Sequence, residues 1–361
     1  MRRVLLAVLL LIFLAGSAQA ITQEELWELQ TSYLDTHQLE AHLPEGISMG
    51  TSFEDGLSHI WQFAISQLGG VFREAARSAA LVMVVALLIS LVGSIYTGSG
   101  GDVPDFVPLV GVLAVAGVAL GSSSAFIGLG ADTLQRLDLF SSALLPAMAA
   151  AGTASGAVTS AAVKYAGTVL FMDILMSVSA RVVMPLIYAF IASSIGAAAL
   201  DSDGLRGTAK LLKWVTGVLI TTIMLSFVGY LTITGVVSGS ADVVTTRIAK
   251  TAISAVLPVV GGIVADAAET VLAGAALVRN GIGVAGLLAV LAVCLIPILQ
   301  LGAHYLMFKA AAGLSSSLTD RRVGGLIGDL GAAFGMIMGL TGAGAMMLFF
   351  SILSTMRMVI R

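Results

Sequence analysis

Six uncharged apolar runs divide most of this sequence: residues 78–99, 107–131, 182–200, 214–241, 281–308 and 330–356. Each is close to the ~20 residues that an α-helix needs to cross a bilayer. Inside hydrocarbon every backbone N–H and C=O must be satisfied within the segment, so such runs fold as helices. Composition agrees: 58% of residues are hydrophobic and 11% are charged, whereas soluble domains carry roughly 25% charged residues. The 41 glycines against seven prolines suit helices that pack backbone to backbone. The sequence therefore predicts an all-α, polytopic integral membrane protein in contact with the lipid bilayer. It excludes a soluble enzyme, a nucleic-acid-binding module (no basic tract) and a disulfide scaffold, Cys294 being the single cysteine.

The few charges are sorted by position. Arg2 and Arg3 precede an apolar stretch from Val4 to Gly16 and an Ala18-Gln19-Ala20 site, the layout of a cleaved signal peptide. Those thirteen residues reach only ~20 Å as a helix, too short for a ~30 Å core. Residues 21–72 hold eight acids and no Lys or Arg and read as an extracytoplasmic helical region. One helix there follows the capping-box spacing of Thr22 to Glu25. A second starts at Ser52 and ends at Gly69-Gly70, with Phe53, Leu57, Ile60, Trp61, Ala64 and Leu68 on one face. Residues 73–361 form the multi-span domain.

Two apolar stretches do not read as simple spans. Residues 139–180 contain Pro146, Lys164 and Asp173; residues 251–278 contain Pro258, Asp266 and Glu269. An ion at mid-membrane costs about 2.5–3.5 kcal/mol on insertion scales, so both stretches are expected to be interrupted, re-entrant or turned towards a protein-lined space. They also resemble each other: Ser142-Ala-Leu-Leu-Pro146 matches Ser254-Ala-Val-Leu-Pro258, a possible internal duplication of the kind transporters use. The loops 201–213 (Arg206, Lys210, Lys213) and 309–322 (Lys309, Arg321, Arg322) are basic and so belong on the cytoplasmic side. An external N-terminus then needs an odd number of crossings before residue 201. Runs 78–99, 107–131 and 182–200 supply three if 139–180 makes no net crossing. With 251–278 also returning to its starting side, six in all leave Arg357 and Arg361 outside.

Other motifs carry no chemistry in this context. Gly281-x-Gly283-x-x-Gly286 opens an apolar run instead of joining a strand to a helix, so it reads as packing glycines and not as a dinucleotide site. Gly331, Gly335 and Gly339 recur every four residues and predict a helix-packing face. His37, His42, His59 and His304 have no metal-ligand spacing, with His304 expected at the interface. No nucleophile–base or metal constellation exists, so neither enzyme activity nor a cofactor is expected. Asp266 and Glu269, three apart on one helical face, are candidates for an ion relay or for pairing with Arg247, Lys250 and Arg279.

Several of these residues, in order and spacing, resemble the stage III sporulation protein AE family of endospore-forming bacteria. They are Leu144-Leu145-Pro146, Val158-Thr-Ser-Ala-Ala162, Ala241-Asp242 through Thr246-Arg247 to Lys250, Pro258-Val-Val-Gly261 and Asp266-Ala-Ala-Glu269-Thr270. Glu269 departs from the family pattern, which has Asp there. The resemblance implies a multi-pass protein of the mother-cell membrane around the forespore. It also implies a channel or secretion-like complex with other stage III sporulation proteins of one operon and a forespore-membrane partner, supporting late forespore development. Energy would come from a separate ATPase. Leu145, Pro146, Arg247, Lys250, Pro258, Asp266 and Glu269 become candidates for lining a conduit or docking other subunits. A stand-alone ion-coupled transporter and a non-conducting scaffold are the alternatives.

Overall fold

The computed structural model describes residues 52–98, 106–154, 158–256 and 261–356. The signal sequence, the helix expected at residue 22 and Pro258 lie outside these residues. Seven α-helices follow in chain order: α1 Phe53–Gly98, α2 Phe106–Ala154, α3 Val158–Val178, α4 Met184–Leu200, α5 Asp203–Val256, α6 Gly261–Leu318 and α7 Arg321–Met356. A π-helical turn, Ser179–Val183, welds α3 to α4. No strand occurs among the described residues. Six helical stretches are long and apolar enough to cross a membrane, in keeping with an all-α polytopic membrane protein.

Contacts between the helices establish direction. At the α6–α7 turn the chain reverses, and Gly324, Gly328, Gly331 and Gly335 of α7 lie against Ser316, Ala312, Phe308 and Tyr305 of α6. Taking α7 as running upward from this turn, α6 runs down. Alongside α6, α1 runs parallel: Ile60 packs on Leu288, Val71 and Ala75 on Ala303, and the Ser90 hydroxyl donates to the Leu318 carbonyl at 2.9 Å. Up the other side goes α2, where Gly130 meets Ile337 and Leu144 meets Ile352 through Gly286. Together α3 and α4 make one downward leg, with Lys164 beside Ser354 and Asp201 beside Arg322. Finally α5 climbs antiparallel to α3, pairing Phe227 with Phe171 at 5.4 Å. Three legs thus precede residue 201, and both basic turns lie at one end of the bundle, called the base below.

Local chemistry explains the turns. Ser52 caps α1: its hydroxyl accepts the Asp55 N–H at 3.2 Å and donates to the Asp55 carboxylate at 2.7 Å. Asp201 closes α4 in the left-handed region, with φ 48°, while the N–H groups of Asp201 and Ser202 both reach the Ala197 carbonyl. Asp320 caps α7 by accepting the Arg322 N–H on its carboxylate at 2.9 Å. Inside the third leg, Pro185 has no N–H to give, and the π-turn absorbs the misfit as the Met184 N–H reaches back to Ser179.

Three sequence expectations change. Gly69-Gly70 does not end the first helix: α1 continues through 46 residues, because Ile60 and Ala64 before the pair and Val71 and Ala75 after it are all buried. The 72/73 domain boundary therefore falls inside one helix. Pro146 does not interrupt α2; packed helices tolerate proline when neighbours compensate for the lost bond, and Leu144, Leu145 and Met148 around it are buried. His304 is not interfacial. It is fully buried, donates from Nδ1 to the Gln300 carbonyl at 2.8 Å and packs on Phe334.

The legs are much longer than a bilayer is thick. They range from 36 residues in α7 to 58 in α6, roughly 54 to 87 Å at about 1.5 Å per residue. Even a 40° tilt stretches a ~30 Å core to only about 39 Å of path. Part of the bundle must stand clear of the hydrocarbon or be covered by protein.

Candidate functional site

The conduit residues foreseen from sequence divide among three surroundings. Leu145 is buried, 5% exposed, in the bundle interior, and Pro146 beside it is half-buried. Arg247 and Lys250 lie on α5, and Asp266 and Glu269 near the start of α6. Of the two Leu-Pro pairs, the first is inside α2 and the second, Leu257-Pro258, lies outside the described residues. Gly331 and Gly335 do pack helices. A Cβ at Gly331 would stand 3.1 Å from the Phe308 Cβ, and one at Gly335 would stand 3.0 Å from the Tyr305 ring. Gly339 is exposed, with nothing within 4 Å of that position. Gly283 and Gly286 sit mid-helix against Met356 and Leu144, which accounts for the glycine motif as close packing.

Among the ions whose surroundings are described, the bundle encloses Lys164. It is 6% exposed, and its ammonium donates to the Ser354 carbonyl at 2.6 Å in the last turn of α7. That carbonyl belongs to the negative end of a helix, where a cation is favoured. One turn below, the hydroxyls of Thr168 and Ser351 share a hydrogen bond of 2.6 Å. Asp173 and Arg181, by contrast, are exposed on the outside of the third leg.

A polar concavity lies at the base, between α4, α5 and α7. It is a bowl of about 730 Å³. Its rim carries Arg206, Lys210, Lys213, Arg321 and Arg322 against Asp201, Asp320 and Asp329, five cations and three anions. Its deep wall is made by Phe190, Ser194, Ala197 and Ala198 of α4. Small residues make the room: on α7, a side chain begun at Gly325 would meet nothing within 4 Å. Ion pairs tie the two turns together: Arg322 to Asp201 at 2.9 Å, Arg206 to Asp201 at 3.3 Å and Arg206 to Asp203 at 3.0 Å. Lys210, Lys213 and Arg321 make no ion pair or hydrogen bond with a described residue. At the bottom, Ser194 is 3% exposed and its hydroxyl has no hydrogen-bond partner among the described residues.

The basic loops were visible in the sequence as charges on one side of a membrane. Their union into one bowl was not, because the contact joins residues more than a hundred positions apart. Ser194 gave no signal, being one serine in an apolar run. Among the described residues no three His, Cys, Asp or Glu side chains are placed to hold a metal ion.

Comparison with known proteins adds what geometry cannot. No solved structure is significantly similar to the chain. "Stage III sporulation protein AE" of Bacillus subtilis (strain 168) is 25% identical over 201 residues, 56% of this chain and 50% of that relative. The chain thus spans about half the length of the curated relative it matches. The family profile described as Stage III sporulation protein AE matches residues 39–358, most of the sequence and all the helices described above. On this match the chain belongs to the stage III sporulation protein AE family, and its role is in sporulation.

Proposed function

We propose that the chain is a non-enzymatic membrane subunit of a channel or secretion-like complex that joins mother cell and forespore during late forespore development. Its place is the mother-cell membrane, with the base cytoplasmic and the N-terminus on the outer side. Its partners are other stage III sporulation proteins and a complex in the forespore membrane.

The observation that carries a multi-subunit reading is the stagger between α1 and α6. These parallel neighbours are in register at Ala75–Ala303 and Ser90–Leu318. α1 is uncharged at residues 56–72 and again from Ser78, and this second run begins opposite the residues where the uncharged run of α6 ends at Phe308. One flat layer of hydrocarbon cannot cover both runs. Beyond the Ser90–Leu318 contact, α1 continues about eight residues, or ~12 Å, past the α6–α7 turn, and α2 returns from the same depth. Their tip exposes Leu91, Ile95, Phe106 and Val110, each more than half accessible. Beside it lie charged turns. A large apolar patch in such a setting marks a protein contact. A stand-alone transporter has no use for it.

The test is replacement of the chromosomal copy in a spore former. Deletion is expected to abolish heat-resistant spores. Leu91→Glu with Ile95→Glu is expected to leave the chain in the membrane but lose co-purifying sporulation proteins. Asp266→Ala with Glu269→Ala tests the conduit residues by spore yield. Normal spores and normal assembly in all three strains refute the proposal; ion-driven uptake by the purified chain alone in liposomes favours the transporter.

A further inference from the structure

We propose that the basal bowl is a binding site for a phosphate-bearing anion, filled by the headgroup of an anionic phospholipid. The site stands apart from any conduit and from the subunit reading above, since it rests on the geometry of the base alone.

Three features converge on it. Lys210, Lys213 and Arg321 line the bowl without an ion-pair or hydrogen-bond partner among the described residues. Arg206 and Arg322 are committed to Asp201 and Asp203, which leaves Lys210, Lys213 and Arg321 against Asp320 and Asp329, a surplus of one positive charge. Deeper in, the Ser194 hydroxyl is buried without a hydrogen-bond partner among the described residues. A buried hydroxyl left unpaired costs about 1–3 kcal/mol, and Ser194 is among the residues that line the bowl. The N-termini of α5 and α7 both open at this end, adding partial positive charge. Cationic forks and ammonium groups over a hydroxyl donor are the chemistry that recognises a phosphate ester.

The neighbouring surface selects a lipid over a free ion. On α5, Leu211, Trp214 and Val218 are exposed at 57%, 65% and 43%. Their spacing of three and four places them along one stripe, next to Lys210 and Lys213. A headgroup at the rim can thus lay its acyl chains on this stripe, with the Trp214 ring at the polar boundary. Basic pockets between membrane helices hold anionic headgroups in this way. Free phosphate would leave the stripe unused.

The full chain, purified in a neutral detergent, is titrated with phosphatidylglycerol, with phosphatidylcholine and separately with inorganic phosphate. Binding is read by native mass spectrometry and by the melting temperature. Phosphatidylglycerol is expected to bind at least tenfold more tightly than phosphatidylcholine. The triple change Lys210→Gln, Lys213→Gln and Arg321→Gln is expected to abolish that preference, and Lys210→Arg with Lys213→Arg to retain it. Gly325→Leu fills the bowl without touching a charge and without helix strain; it is expected to weaken binding tenfold, and Ser194→Ala several-fold. Equal binding of the two lipids overturns the proposal, as does unchanged preference in Gly325→Leu. Saturation by inorganic phosphate with no effect of the lipid overturns the lipid assignment.

Discussion

Asp201 holds the α4–α5 turn in two ways that substitution can separate. Its backbone is left-handed, φ 48°, a conformation that costs a residue with a Cβ roughly 1 kcal/mol relative to glycine, less for Asp or Asn. Its carboxylate also pairs with Arg206 and Arg322, with side chains 35–48% exposed. At that exposure each pair contributes only about 0.5 kcal/mol, or ~1 for both. Asp201→Ala loses the pairs and meets the full backbone strain, a cost of about 1.5–2 kcal/mol. Asp201→Gly loses the pairs but relieves the strain and comes out near zero, while Asp201→Asn falls between, at about 1. With roughly 2 °C of melting temperature per kcal/mol for a chain of this size, Ala should melt 3–4 °C below Gly in detergent. Repeating the melts in about 1 M salt, where the Debye length is ~3 Å, should shrink the gap between the native chain and Asn. The gap between Ala and Gly should persist. Ala and Gly melting together, or a gap between them that salt removes, would refute the division.

Packing predicts two further outcomes. Gly331→Leu forces a side chain into the Phe308 backbone and should cost about 1–3 kcal/mol, whereas Gly339→Leu should stay within ~0.5; melting of the two variants side by side checks this. Gly167 lies directly under the Tyr230 ring, whose hydroxyl donates to the Val163 carbonyl at 2.8 Å. Tyr230→Phe should cost about 1 kcal/mol. Gly167→Ala should cost more, and Gly167→Ala with Tyr230→Leu less than the two single costs added. Strict additivity in that cycle would mean the two side chains do not meet.

The sequence announced helices and basic turns well because those signals are local: charge-free length for a span, Lys and Arg for a turn. It misjudged positions where a neighbour decides. Gly69-Gly70 breaks an isolated helix, but α6 supplies buried partners for Ile60 before the pair and for Val71 and Ala75 after it. The glycine row shows the geometry most plainly. Four residues turn an α-helix by about 400°, so Gly331, Gly335 and Gly339 drift ~40° per step and the third has left the seam. Gly324, Gly328, Gly331 and Gly335 alternate four, three and four, which averages close to 3.6 and holds one face against α6. Lys164 could be read as costly in the membrane but not as enclosed, because Ser354, its acceptor, is 190 residues away.

One feature runs against a cytoplasmic base. Six legs bring the end of α7 to the same end as the start of α1, through Met356 at Gly283 and Gly56 at Leu288, and the sequence continues with Arg357 and Arg361. An uninterrupted α7 of 36 residues leaves no unrecognised crossing there to return those arginines to the cytoplasm. The positive-inside rule is a bias summed over short loops, however, and not a veto on each terminus. Arg206, Lys210, Lys213, Lys309, Arg321 and Arg322 gather at or near the base, six cations, while Arg247, Lys250 and Arg279, between the apolar runs of α5 and α6, join Arg357 and Arg361 on the other side. The proposed cytoplasmic base rests on the two short turns that carry those six. A phosphatase fused after Arg361 should be active on intact cells and a fluorescent protein there dark, with the reverse for fusions inserted at Asp203. A fluorescent C-terminal fusion would invert the bundle, moving the bowl and its unpaired lysines to the outer side.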